Sequence, residues 1–590
     1  MNNQWLELCE NNPFSNNAAA GPWDNKYPDI ISINSEAFRN IGLLLNQKQN
    51  NPREPVAALV LGESGSGKTH LLRRIRLSVQ TEGSVSFVNI RPVLDPDFPV
   101  RNLLKGIMVD IFRSTDKKGG SSTICRLLNK IFFDWANANN KRVPKKISSV
   151  LKNTKSAPDH KQITCILKKN RREVKSYLLN KNRDLNKEFL EVLLQLGSLN
   201  KERILFDWLA GNTIDKRDCK KIGVVKRSDK TKGIIEEEAR EIIISLGILM
   251  EIYHESAIIC FDQLDTIKNP DLVDAFGSII HTLVNETYSM MPVAFVRADS
   301  WNTFFFKKMD PAVFQRLEMN KFALSGCTRG EALEIIHSRI SYFLGDNSEN
   351  LYTSFRNEIE ESIKEGYSPR QIILLANRKL HDLCSNDLIP ISINDLLKNE
   401  FQAEFRELCR DFKNFPPDAG LLKYALSFLL KSRVYISDIV KTEKDRVNLY
   451  ATLKLQKGDS IYVGFIINTS NSHYSVRSCA ERGIQFMNNE TRRCIYITDS
   501  RCTLKKPGWK VTNKRMEEFI KRGGSVWNLE DREVQRWYAL ALLILKTENG
   551  DLMVEGEDGI LRMITRVEID LFLESEFHLP SDPHFPYTIT

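Results

Sequence analysis

Val56-Ala57-Ala58-Leu59-Val60-Leu61 is a continuous apolar run of strand length, and it leads directly into Gly62-Glu63-Ser64-Gly65-Ser66-Gly67-Lys68-Thr69-His70. A strand without polar alternation has to be covered on both faces, which is the condition of a central strand in a parallel sheet. Beyond the glycines, Leu71, Leu72, Ile75 and Val79 recur at helical spacing, with Arg73, Arg74 and Arg76 between them. In this strand–loop–helix order main-chain N–H groups can curl around the α- and β-phosphates of a nucleotide. The lysine then reaches the β- and γ-phosphates, and the threonine hydroxyl holds Mg²⁺. Gly62 to His70 are thus the candidate nucleotide contacts, Lys68 the candidate catalytic cation, and ATP and Mg²⁺ the expected ligands.

A chain of 590 residues exceeds what one core can organise, and three or four units are expected. No run of 18 apolar residues is present and the first twelve residues are polar, so the expectation is a soluble, cytoplasmic protein with no membrane partner. The 11 cysteines are scattered singly, without a C-x-x-C pair, which argues for reduced thiols and against a disulfide framework or a zinc site. The nine histidines form no metal-binding pair, so no metal beyond Mg²⁺ is implied. The net charge of +9 is concentrated: between Lys141 and Leu185 fourteen Lys/Arg face only Asp159, Glu173 and Asp184, a local excess of +11. Such a segment can neutralise phosphates, and nucleic acid is its expected partner; a solvated lysine-rich surface is the alternative.

Strand-length apolar runs recur at 85–90, 257–261 and 293–296, separated by helical stretches, which defines an α/β class with a parallel sheet. The expected organisation is an N-terminal segment (1–55), a P-loop core (56–326) interrupted by a basic helical insertion (about 113–243), a helical lid (327–398) and a helical connector (399–431). Short alternating runs then predict a smaller α/β domain over 432–528, and a helical, winged-helix-like tail over 529–590.

A phosphate-binding loop needs a second carboxylate at the end of a buried strand beside it. Ala257 to Phe261 followed by Asp262 supplies one, giving Thr69 and Asp262 as the Mg²⁺ pair. Gln263 follows where a glutamate is usual; glutamine can orient a water but cannot take its proton, so hydrolysis is expected to be slow or to use Asp265. With these motifs the chain resembles the AAA+ superfamily, in particular its origin-recognition-like and STAND-type branches, over roughly residues 12–398. The resemblance implies a γ-phosphate sensor after Val293 to Val296, with Asp299 the candidate and Ser300 or Asn302 behind it. It also implies an arginine finger at Arg316, within Asp310 to Leu317 and acting on a neighbouring subunit, and a second sensor at Arg370 in Tyr367-Ser368-Pro369-Arg370. A homo-oligomer follows from the finger. Asp207-Trp208-Leu209-Ala210-Gly211 further resembles a W-L-x-G insert of ATP-binding proteins from bacterial phage-defence loci.

The resemblance implies an ATPase switch in a DNA-associated process, with anti-phage defence the leading setting. An ATP-bound scaffold recruiting an effector and a replication or transposition loader remain open. So does a nuclease in the C-terminal half, where Lys454 lacks its acid because Thr452 stands in that place. Asp499, followed by Arg501, Lys505 and Lys506, fits a phosphate-contacting or protein-docking surface better than metal catalysis, and partner proteins are expected there.

Overall fold

The computed structural model describes residues 8–9, 12–14, 22–23, 29–90, 98–113, 122–139, 160–196, 201–212, 214, 216–225, 231–267, 270–345, 348–384, 392–412, 417–432, 436–440, 449–454, 460–488, 491–550, 552–555 and 561–577. Two compact units result. The first comprises Met1–Gly211, Thr231–Ser392 and the turn Asn549–Leu552, and the second Asn212–Lys230, Ile393–Glu548 and Met553–Thr590.

The first unit is built on five strands: β1 (Ala58–Leu61), β2 (Val85–Ile90), β3 (Ser256–Phe261), β4 (Met290–Val296) and β5 (Lys321–Ala323). They lie in the order β2-β3-β4-β1-β5 and all neighbours are parallel. β1, β3 and β4 are buried at every position, as the unbroken apolar runs require. β4 therefore separates β1 from β3, which corrects the expectation that the Asp262 strand adjoins the loop strand. At 4.7–4.9 Å per strand, the ends of β1 and β3 are about 10 Å apart along the same edge.

Helix Lys68–Glu82 carries β1 to β2, Lys232–Ile252 feeds β3, and Pro270–Asn285 feeds β4. Val60, Leu72, Ile75, Ile258, Val293 and Phe295 meet in the core beneath the loop. Helices Arg329–Leu344, Ser348–Ile359 and Pro369–Cys384 form a separate apolar cluster around Ile336, Phe355 and Ile372, into which Leu8 and Phe14 of the N-terminal segment insert.

That insertion overturns one expectation. Cys9 and Cys384 form a disulfide with their Cα atoms 5.9 Å apart, although 375 residues separate them in sequence. Spacing along the chain carries no information about such a pair; the folding of the first residues onto the last lid helix creates it. The nine other cysteines are free thiols.

The second unit has a mixed sheet of β6 (Ile436–Val440), β7 (Leu449–Lys454), β8 (Ser460–Asn468), β9 (Arg492–Asp499) and β10 (Ser525–Leu529), in the order β10-β9-β8-β7-β6. β6, β7 and β8 form an antiparallel meander, and β8, β9 and β10 are parallel through helices His473–Phe486 and Lys510–Lys521. Helix Asp531–Glu548 is buried almost all round and packs with Ile393–Asp411 and Ala419–Lys431 of the same unit. A hairpin of β11 (Met553–Glu555) and β12 (Leu561–Met563) and helix Arg566–Glu576 follow. Lys546, 4% exposed, is set against the equally buried Glu400 and Glu404.

Gly247 is a point of close backbone approach in the first unit, where a Cβ would press on the carbonyl of Thr287 and lie 3.0 Å from its Cα. Gly247→Val should therefore lower stability by about 1–3 kcal/mol through overpacking, read as a reduced denaturant midpoint at unchanged slope.

Candidate nucleotide site

The loop after β1 adopts its shape because glycine permits it. Gly65 and Gly67 have φ of +80° and +95°, a region closed to most side chains. A Cβ on Gly65 would also come within 2.5 Å of Arg370 Cβ. Lys68, 7% exposed, curls back so that its ammonium donates to Gly62 O (2.7 Å) and Glu63 O (3.2 Å). Ser66 Oγ is buried without a hydrogen-bond partner among the described residues, an orphan of the kind a phosphate oxygen satisfies.

Register brings the other strand ends to the same edge. Leu61 pairs with Val296, and Gly62 N donates to Val296 O (3.1 Å), so the residue following β4 emerges beside the loop. That residue is Arg297. Its guanidinium lies 3.6 Å from Glu63 and donates to Asp299 at 2.8 Å. Its main-chain N–H is held by Asp265 Oδ1 at 2.7 Å. Asp299, the sensor candidate, is exposed and paired with Arg297, while Ser300 belongs to the short helix Ala298–Ser300 and Asn302 is exposed on the π-helical turn Trp301–Phe305. Arg297, which the sequence reading passed over, is thus the charged group nearest the loop at this strand end. Asp265, the alternative base, already holds the Arg297 main chain.

Asp262 is 8% exposed and accepts from Gln263 N at 2.9 Å. Gln263 has φ of +58°, a left-handed conformation uncommon outside glycine that often marks a working position. Among the described residues no cluster of three metal-binding side chains occurs. The residues that would hold Mg²⁺ are Thr69, through its hydroxyl, and Asp262, through water, which suits an ion that keeps several waters.

Arg370 opens helix Pro369–Cys384, is 7% exposed, and donates through Nη1 to Ser64 Oγ and to Gly550 O, both at 2.6 Å. Ser64 also hydrogen-bonds Gly550 O. The structure thus brings Arg370 onto the loop. Arg316 is elsewhere: its guanidinium donates to Asn285 Oδ1. Asn285 precedes β4 and Arg316 precedes β5, so both lie at the edge of the parallel sheet opposite the loop of their own chain.

Residues 29–34 of the N-terminal segment reach the loop and its helix. Arg74 of the loop helix makes a bidentate pair with Asp29 (2.6 and 2.8 Å) and donates to the carbonyls of Ile30, Ile31 and Ile33. This fixes Asn34, whose Nδ2 donates to Ser66 O at 3.0 Å and whose buried Oδ1 has no partner among the described residues. Asn34 and Arg74 were also missed; an arginine between apolar helix positions reads as a solvated face until its partner, remote in sequence, is known. A cavity lined by Ile30, Asn34, His70, Arg339 and Ile373 adjoins Gly67. His70 keeps part of its surface at that cavity, but burial first, then the charges of Arg339 and Arg73, push its pKa down to about 4.

Elsewhere the structure narrows sequence expectations. Of the basic segment, 141–159 lie outside the described residues. Arg171 and Lys175 pair with Glu191, and Lys181 with Asp134, which leaves Lys168, Lys169, Arg172 and Arg183 exposed without an ion pair among the described residues. Trp208 is 2% exposed and anchors helix Glu202–Leu209. Asp499 is wholly buried and bound by Arg501, whose guanidinium also lies over the Phe412 ring at 3.8 Å. No helix among the described residues is long and apolar enough to cross a membrane.

No protein-family model and no curated protein matches the chain. Among solved structures it is similar to Cdc6p from Pyrobaculum aerophilum, at 10% identity and a TM-score of 0.30 over 89% of this chain and 97% of that one. It is also similar to the Aeropyrum pernix ORC1 protein in complex with DNA (11%, TM-score 0.30, 94% and 95%) and the ORC2 protein of the same organism in ADPNP–ADP complexes (9%, TM-score 0.32, 94% and 95%). At these scores nothing about the site rests on the likeness.

Two outcomes follow from the clamp and the histidine. Arg74→Ala removes one partner of a nearly buried pair and should cost about 3 kcal/mol, seen as a lower denaturant midpoint; an unchanged midpoint would show the clamp to be idle. Because the folded state holds His70 neutral to about pH 4, against 6.5 for a free imidazole, its contribution is complete above 6.5 and lost as pH falls toward 4. His70→Gln should flatten the pH dependence of the melting temperature in that window.

Proposed function

We propose that the protein is an ATP-binding and ATP-hydrolysing switch of the AAA+ type, with an origin-recognition-like core, acting in a DNA-associated process. The carrying observation is that Lys68, the orphan Ser66 hydroxyl, Arg297 and Arg370 converge on one glycine-built loop. Three cations around one concave main chain suit a triphosphate. Mg²⁺, held through Thr69 and Asp262, would neutralise charge between the β- and γ-oxygens.

Each side chain then has a task. Lys68 exchanges its two carbonyl partners for phosphate oxygens. Arg370 gives up the Gly550 carbonyl for a terminal phosphate oxygen, so occupancy is read at the lid. Arg297, rather than Asp299, approaches the phosphate from β4. Gln263 orients a water without accepting its proton, which supports slow turnover and keeps alive the second reading of an ATP-bound scaffold. Arg316, across the sheet from its own loop, is available to a neighbouring copy, which supports a homo-oligomer. Nucleic-acid binding rests on Lys168, Lys169 and Arg172. The finer setting, a bacterial anti-phage system, is supported by the W-L-x-G resemblance at Asp207 to Gly211.

Lys68→Ala should abolish MgATP binding in a calorimetric titration, and unchanged affinity would remove the assignment. Arg316→Ala should bind ATP as wild type but lose roughly a thousandfold in steady-state phosphate release. Equal turnover would remove the finger role.

A further inference from the structure

We infer that the second unit carries its own binding surface for single-stranded nucleic acid, formed where the loop after β9 meets helix Lys216–Ile222. The contact that joins them is Arg217 donating to Gly508 O at 3.3 Å, and both segments belong to this unit. It brings the helix of Lys216 and Lys220 to the loop that carries Lys505 and Lys506 and leads into helix Lys510–Lys521 with Lys510 and Lys514.

The charges on helix Lys510–Lys521 are sorted. Arg515 pairs with Glu481 and Glu518, and Arg522 with Glu518, so these cations are neutralised within the fold. Lys505, Lys510 and Lys514 are exposed and have no carboxylate partner among the described residues; the same holds for Lys216 and Lys220. The acids nearby do little to cancel them: Asp218 is engaged by Lys221, and the exposed Glu517 lies a turn beyond Lys514.

An aromatic group accompanies the charge, with Tyr474 at the surface and Trp509, 6% exposed, buried beneath it. Lys506 lies 5.0 Å from the Trp509 ring, the His473 ring 5.9 Å from Trp509, and Tyr474 4.4 Å from His473. Thr512 ties the two helix starts together by donating to His473 O at 3.2 Å. Tyr474 is 37% exposed and Val511 62%, so a flat apolar ring and an apolar neighbour stand among unpaired ammonium groups. Unpaired cations along a strand's phosphates, with a ring on which a base can stack, is the chemistry of single-strand binding. An acidic protein segment would use the charge but not the ring.

This surface is independent of the ATP reading and of the basic insertion in the first unit. The test uses the full-length protein without nucleotide and the fluorescence anisotropy of a labelled 20-residue oligothymidylate across a salt series. Lys505→Glu/Lys510→Glu/Lys514→Glu should weaken binding at least tenfold and reduce the slope of log K against log salt by roughly 2, as expected for three lost contacts on a single strand. Tyr474→Ala should weaken binding severalfold with the slope unchanged. An unchanged denaturant midpoint in both variants shows that they fold, and the nucleotide-free assay keeps this outcome separate from that of the ATPase proposal. Wild-type affinity and slope in the triple variant would overturn the surface. So would a Tyr474→Ala protein that binds as wild type, or competition by poly-aspartate as effective as by the oligonucleotide, since both mark an acidic-polymer site.

Discussion

Everything in the first unit depends on one buried ammonium. Lys68 is tethered to Gly62 O and Glu63 O beneath a loop whose glycines take conformations that other residues resist. A cation enclosed this way is tolerable only with oxygen around it, and loop carbonyls alone leave donor capacity over. Strand order then decides what else can reach the same point. With β4 between β1 and β3, the residue after β4 arrives at the loop, and the carboxylate after β3 stands one strand further off, at the reach of a hydrated metal ion rather than of a direct bond.

The second determinant is a clamp from outside the sheet. Arg74 gathers a carboxylate and three carbonyls of residues 29–33, and this holds Asn34 against the loop. The lid helix beginning at Pro369 is joined to the first residues through Cys9–Cys384 and Asn12–Asn377, while Phe14 stacks on Phe355 of the neighbouring helix Ser348–Ile359. Loop, N-terminal segment and lid are thus joined by contacts along one helix, from Arg370 at its start to Cys384 at its end.

Legibility in the sequence followed the physics of each element. β1 and β3 could be read to within two residues because an unbroken apolar run of strand length has few other uses, and the loop could be read because its residue types are dictated by phosphate chemistry. β5 was missed: Lys321-Phe322-Ala323 is a three-residue edge strand with no periodicity to detect. β10 and the helices flanking β9 were missed for a similar reason, since Lys510–Lys521 is polar over most of its surface. Asn34, Arg74 and Arg297 were invisible because their roles depend on partners remote in sequence or on strand order, and Cys9–Cys384 because pairing needs the fold. The local charge of the insertion was legible, but its partial neutralisation by Glu191 and Asp134 was not.

The central claim is geometric: a triphosphate lies on the loop with its terminal phosphate between Lys68, Arg297 and Arg370. A crystal structure of the full chain with Mg²⁺ and a slowly hydrolysed ATP analogue tests it most directly. The account predicts phosphate oxygens within hydrogen-bonding distance of the Lys68 ammonium and the Arg370 guanidinium, with the Gly550 carbonyl released from Arg370. A nucleotide bound with Lys68 still held by Gly62 O and Glu63 O, or bound away from the loop, would contradict it.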